Sequence, residues 1–242
     1  MSGIILAMVG WGLGGFFNGI AGFGAALVAM PILACGIDMA LAVPCAGLMV
    51  LALNVQMAWS YRQHLVTTGI RPLLVGALPG ALAGALLLRF VSESGLRLGL
   101  GLLLLCYGLW GLYSRRLQRR NVHAVWGMLA GFFSTSFGTA YGINGPPLAV
   151  YLSMRGGTQS ETKAALGVFF IVSGLFIVAA QALAGVHSLQ AVMLFASALP
   201  AVLLGGWAGI RFSAGVNDVN FHRALHIMLL LMGANMVRLS IS

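Results

Sequence analysis

Carboxylates are nearly missing from this chain. It holds four acidic residues in 242, namely Asp38, Glu93, Glu161 and Asp218, and all four fall in connections between apolar stretches. A proton relay or cation site inside a membrane draws on intramembrane Asp or Glu, so neither is expected. Charged residues amount to 7 %, whereas a soluble domain carries about a quarter. A soluble globular fold is excluded. The three cysteines, Cys35, Cys45 and Cys106, have no CxxC spacing and no nearby histidine. They read as small buried apolar residues rather than redox or metal ligands. The 12 methionines form no cluster of the kind a soft metal needs. No basic region precedes the first apolar stretch, which is not read as a cleaved signal peptide.

What is abundant is apolar surface: 60 % of residues, with a mean hydropathy of +0.98. Backbone in hydrocarbon must satisfy its own hydrogen bonds, and no period-2 alternation suggests a barrel. The expected fold class is therefore an all-α polytopic membrane protein. The net charge of +9 comes from basic residues scattered between apolar segments, with one cluster at Arg115, Arg116, Arg119 and Arg120. These read as topology signals and contacts to lipid headgroups, not as a nucleic-acid surface.

Eight apolar segments lie near Ile4–Leu33, Ala40–Trp59, Ile70–Leu88, Leu96–Tyr113, Val122–Leu152, Ala164–Leu183, Leu189–Ile210 and Phe221–Val237. Six have the length of one span, near 20 residues. The first and fifth run to about 30 residues, or about 45 Å as helix, too long for one modestly tilted span. Glycines interrupt both: Gly19, Gly22 and Gly24 in the first, and Gly138, Gly142 and Gly145-Pro146-Pro147 in the fifth.

Those two long segments are versions of one another. A shift of 116 positions pairs Gly15 with Gly131, Phe16-Phe17 with Phe132-Phe133, Asn18 with Ser134, Gly22 with Gly138 and Pro31 with Pro147. Ala77-Leu78-Pro79 likewise matches Ala198-Leu199-Pro200, and Gly84 matches Gly205. The chain divides into two four-segment halves, residues 1–113 and 114–242, forming one integral transport domain. Repeated, glycine-broken membrane segments point to a transport path where the halves meet.

Basic residues test the orientation of the halves. With eight simple spans the two sides hold seven and six Lys or Arg, which gives no signal. With the first and fifth segments re-entrant, Arg62, Arg71, the Arg115–Arg120 cluster, Arg155, Lys163, Arg211 and Arg223 share one side. That is ten against three, as the positive-inside rule expects of a cytoplasmic face. The expected arrangement is a pair of inverted repeats whose first and fifth segments are broken or re-entrant, each hairpin with two arms of about 14 residues.

Such hairpins would bring their breaks together inside the membrane. A helix restarting after a break offers unpaired N–H groups and the positive end of its dipole, and glycine admits a bulky oxyanion. The candidate substrate-binding residues are Asn18, Gly19, Gly22 and Gly24 in the first half. In the second they are Ser134, Thr135, Ser136, Gly138, Thr139, Tyr141, Asn144 and Gly145. Asn54, Gln56, Ser173, Gln181 and Asn235 are further path candidates, each equally readable as an interhelical hydrogen bond. Small residues also serve helix packing, and Gly15-xxx-Gly19 and Gly127-xxx-Gly131 fit that role. His226 is the one intramembrane titratable side chain in this reading. No catalytic group, metal or cofactor is expected: Ser136 and His226 could be drawn as a hydrolase dyad, but no GxSG surrounds the serine.

The GxxNGxxGxG run from Gly15 to Gly24, followed by Pro31-Ile32-Leu33, resembles the TauE/SafE family of sulfite and sulfonate exporters, within the toluene-sulfonate uptake permease group. Arg62, the Leu78-Pro79-Gly80-Ala81-xx-Gly84-Ala85 run and the second glycine-rich copy continue the resemblance along essentially the whole chain. It implies a multi-pass carrier in a bacterial cytoplasmic membrane for sulfur-containing anions such as sulfite, a sulfonate or sulfoacetate. Gly22-Phe-Gly24-Ala25-Ala26 departs from the longer glycine run frequent in that family. An anion leaving a cell that is negative inside moves down the electrical gradient, which makes export the expected direction. A carrier for another small metabolite or ion, a non-transporting membrane subunit and a homo-oligomeric state stay open at this level.

Overall fold

A computed structural model describes residues 2–64, 70–113, 123–155, 159–213 and 218–241. Among them there is no strand. The α-helices are α1 (Ser2–Ala21), α2 (Ala25–Leu33), α3 (Met39–Ser60), α4 (Arg71–Phe90), α5 (Glu93–Tyr113), α6 (Ala124–Tyr141), α7 (Gly145–Arg155), α8 (Gln159–Leu183), α9 (Leu189–Phe212) and α10 (Asp218–Ile241). Six of these, α1, α3, α4, α5, α8 and α9, are long and apolar enough to cross a membrane. The molecule is a multi-pass, all-α membrane protein.

Small residues set which helices meet. On α4, Gly76, Gly80 and Gly84 face the backbone of α6 at Met128, Phe132 and Ser136. One residue pair further round the same helix, Leu78, Leu82 and Leu86 are exposed. Spacing by four puts each set on its own face, so α4 shows glycine to protein and leucine to lipid. The same device joins α1 to α9, where Gly12, Gly15 and Gly19 meet Ala201, Val202 and Gly206. Both pairs run parallel. Gly15, Gly19 and Gly131 thus bring backbones close in a lipid environment that supplies no hydrophobic drive between helices, while Gly127 packs on the side chains of Pro72 and Tyr151.

Two other pairs run antiparallel. Gly47 of α3 faces Gln181 of α8, while Ala58 of α3 faces Gly167. Gly101 of α5 faces Gly233 of α10, while Gly108 faces His226 and Leu230. Pairs α1–α9 and α4–α6 each join residues 1–113 to residues 114–242.

Both long segments break and double back. Gly14 lies against Ala25 and Ala29, and Gly10 against Ile32 and Leu33, so α2 returns along α1. Gly138 faces Asn144 and Gly127 faces Tyr151, so α7 returns along α6. The arms are not the equal ones of about 14 residues expected from a helix budget. They hold 20 and 9 residues in the first hairpin, and 18 and 11 in the second. Gly19 and Gly138 stay helical because neighbouring helices pack on them, and the chain turns only where glycine has a positive φ. Two of the cysteines also differ from expectation: Cys45 is buried, but Cys35 and Cys106 are exposed.

Candidate functional site at the two helix breaks

The first break is built from two left-handed glycines. Gly22 (φ 85°) closes α1, its N–H donating to the Asn18 carbonyl at 2.7 Å, and Gly24 (φ 100°) opens α2. An L-residue would lose about 1–2 kcal/mol at either position. No side chain caps α2, so the N–H groups of Ala25, Ala26 and Leu27 have no intrahelical acceptor. They form the positive end of that helix.

The second break is built differently. Gly142 (φ 72°) closes α6, with its N–H on the Gly138 carbonyl at 2.9 Å and that of Ile143 on Phe137 at 3.3 Å, a Schellman-type end. Ser134 donates to the Asn144 carbonyl and pins the turn to its own helix. Helix α7 then begins Gly145-Pro146-Pro147. Proline carries no N–H, so of the first three helical positions only Gly145 offers a donor, where α2 offers three consecutive ones. The two helix starts differ in how many N–H groups they leave free.

Both breaks line one cavity of about 10 Å³, walled by Asn18, Phe23, Gly24, Ala25, Ala26, Leu27, Val50, Asn54, Gly142, Ile143, Asn144, Gly145 and Phe170. None of these residues is charged. Asn18, Asn54 and Asn144 are buried at 4 %, 1 % and 6 % exposure, and the side-chain nitrogen of each is a buried donor with no hydrogen-bond partner. An unmade hydrogen bond at a buried donor costs about 1–3 kcal/mol. Three of them belong to residues around one space, beside the start of α2, and supply that lining with amide donors. Its chemistry suits an anion with several oxygens. The volume admits about one water-sized position, too little for an oxyanion.

The sulfite exporter TauE/SafE family model matches residues 6–236, a span that includes both hairpins. The chain belongs to the TauE/SafE family. It is also similar to a probable sulfite/organosulfonate exporter TauE from Cupriavidus necator, 25 % identical over 96 % of this chain and 92 % of that protein. No solved structure matches. TauE/SafE is a family of transporters, not enzymes, and the hydrolase drawing has no support: the Ser136 hydroxyl donates to the Gly80 carbonyl at 3.0 Å, while His226 packs on Tyr107.

In this TauE/SafE chain the cavity gathers Asn18, Gly24, Asn144 and Gly145 from the expected set. Gly22 sits beside it, against Lys163 and Leu166. The rest lie outside the lining. Gly19 packs on α9 and Gly138 on Ile177. Ser134 and Ser136 donate to backbone carbonyls as described, and Thr139 donates to the Thr135 carbonyl at 2.9 Å. Thr135 is buried outside the lining, and the Tyr141 hydroxyl lies at Gly99 of α5. Among the path candidates, Asn54 lines the cavity. Gln56 and Gln181 are interhelical ties, to the carbonyls of Leu203 (2.9 Å) and Thr139 (3.0 Å). Ser173 is buried, and Asn235 meets Arg238 and Cys35.

The register of the repeat needs correction. Helices α1 and α6 end at Ala21 and Tyr141, an offset of 120 rather than 116. Gly142, not Gly138, therefore stands where Gly22 does. Gly138 takes the place of Asn18, and the second half supplies its cavity amide from Asn144 on the far side of the turn. Sequence comparison aligned the packing glycines and missed the extra helical turn. Phe23, Val50, Ile143 and Phe170 were also not expected, having nothing in sequence to mark them among many apolar neighbours.

Proposed function

We propose that this protein carries small sulfur oxyanions, sulfite or an organosulfonate, out of the cell, binding them between the two helix breaks. The observation that carries this reading is the meeting of three buried, unpartnered asparagine amides with the N–H groups of Ala25, Ala26 and Leu27 at one cavity. Amide and peptide donors can replace the water around sulfur-bound oxygens without introducing a fixed charge. A neutral lining holds an anion loosely enough to release it. The similar exporter from Cupriavidus necator supports the substrate class.

The mechanism follows from the small size of the cavity. Anion access requires one hairpin tip to withdraw from the other, opening the lining toward one face and then the opposite one. A membrane potential adds about 2.3 kcal/mol per charge per 100 mV to outward movement, so export proceeds without a coupling ion.

In this reading residues 1–113 and 114–242 are inverted halves of one transport domain. Support comes from the helix pairs: α3 with α8 and α5 with α10 are counterparts that run antiparallel, as a two-fold axis in the membrane plane requires. In addition, Tyr61 just after α3 meets Lys163 near the start of α8 at 3.4 Å. Eight simple spans would leave those two on opposite faces. The Arg115–Arg120 loop lies outside the described residues; the positive-inside rule assigns it to the cytoplasmic face of the cell membrane.

The deciding experiment is efflux of labelled sulfite and methanesulfonate from proteoliposomes under imposed potentials. Flux that grows with inside-negative potential is expected. Correctly folded protein that moves no member of a sulfur-oxyanion panel would overturn the assignment.

A further inference from the structure

Twelve of the thirteen basic residues are arginine; Lys163 is the single lysine. It is also buried, at 6 % exposure. Arg62 and Arg211, by contrast, are exposed and rest on Trp59 and Trp207. The sequence places Lys163 in a connection, yet α8 begins four residues before it.

Its surroundings set it beside the cavity. The stem of Lys163 crosses the tip of the first hairpin, where a Cβ added to Gly22 would come within 2.8 Å of Lys163 Cγ. Lys163, Leu166 and Phe170 share one face of α8 by their spacing of three and four. Leu166 also touches Gly22, and Phe170 walls the cavity. The backbone of Lys163 therefore stands about 10 Å along α8 from that of Phe170. Its partner is neutral: Nζ is 3.4 Å from the Tyr61 hydroxyl and 5.4 Å from the ring centre. The salt bridge Arg97–Glu93 lies at the other end of α3, where Glu93 also accepts the Met39 N–H.

We propose that Lys163 is a substrate-positioning cation, which draws the anion to the tip of the first hairpin and hands it to the amides of Asn18, Asn54 and Asn144. This rests on the anion site proposed above. A buried ammonium held only by a phenol is poorly compensated, and an arriving oxyanion completes it. Lysine suits the task better than arginine, because a compact charge on a flexible stem can follow a mobile ligand. Gly22 has no side chain, which leaves that stem room to move.

The test measures anion affinity by thermal shift of the purified full-length protein with sulfite, methanesulfonate and sulfate, for wild type, K163Q, K163R and Y61F. We expect K163Q to raise the apparent Kd at least tenfold and K163R to recover most of the loss. Y61F, which frees the ammonium, should bind at least as well as wild type. A Y61F variant as weak as K163Q would mean that Lys163 only ties α8 to α3, and unchanged binding by K163Q would remove its role outright. Either result leaves the asparagine site standing, whereas a wild type stabilised by none of the anions removes both proposals. Should K163Q fail to fold, acylation of Lys163 in the wild type, read by peptide mass spectrometry, replaces it. Slowing of acylation by sulfite supports the proposal, and an unaltered rate refutes it.

Discussion

The ring of Phe23, at the tip of the first hairpin, lies against Gly145, the first residue of helix after the second break. A Cβ built on Gly145 would sit 2.6 Å from Phe23 Cδ2 and 3.3 Å from Phe23 Cβ. The same ring stands 6.4 Å from that of Tyr107 on α5. The two halves thus touch at their breaks through one aromatic side chain against bare backbone, and both residues wall the cavity.

Gly145→Ala should therefore impair transport by pushing the tips apart. The expected loss is tenfold or more in proteoliposome flux, with the protein still folded, because a ring can yield where backbone cannot. Phe23→Ala in the same chain should restore part of that loss. A double-mutant cycle that adds independently would show that this contact does not couple the tips.

Asn54→Leu separates function from stability. The asparagine amide is buried and lacks a partner, so an apolar side chain of similar size removes a penalty of about 1–3 kcal/mol. Thermal stability should stay level or rise while sulfite transport falls at least tenfold. A parallel drop in both would assign Asn54 to packing.

How much of this was legible beforehand depends on what each residue does. The hairpins could be read because glycine at a positive φ and segments of excess length are local signals, and Gly22, Gly24 and Gly142 carry them. Asn18 and Asn144 stood out as amides inside apolar sequence. Ser134, Ser136 and Thr139 look identical by composition, yet a nearby carbonyl satisfies each of them, and only tertiary geometry reveals that. Lys163 was hidden by a helix boundary: α8 starts at Gln159, five residues before the apolar run from Ala164, and outside that run Lys163 reads as another topology signal.

Ala26→Pro tests the helix start as an anion pole. Proline in the first turn removes one N–H without breaking the helix, and α7 already accommodates Pro146 and Pro147 there. A hydrogen bond to a charged group contributes about 1.5–3 kcal/mol, so anion affinity should fall about tenfold or more with little change in melting temperature. Equal affinity for the variant would move the anion away from α2.

Sidedness is open to a direct measurement. Ser60 ends α3 and Ser213 follows α9, while Ser92 lies between α4 and α5. If both long segments are re-entrant, Ser60 and Ser213 share the arginine-rich face and Ser92 is on the other. Eight simple spans instead separate Ser60 from Ser213. The packing favours the first outcome, since Gly19 of α1 meets Ile210 of α9 while Gly22 meets Lys163, the neighbour of Tyr61. Single cysteines at positions 60, 213 and 92, in a chain freed of Cys35, Cys45 and Cys106, should label with an impermeant maleimide accordingly: 60 and 213 from the cytoplasmic side, and 92 from the opposite side. Labelling of 60 and 213 from different sides would abolish the inverted arrangement, although the amide-lined cavity would keep its chemistry.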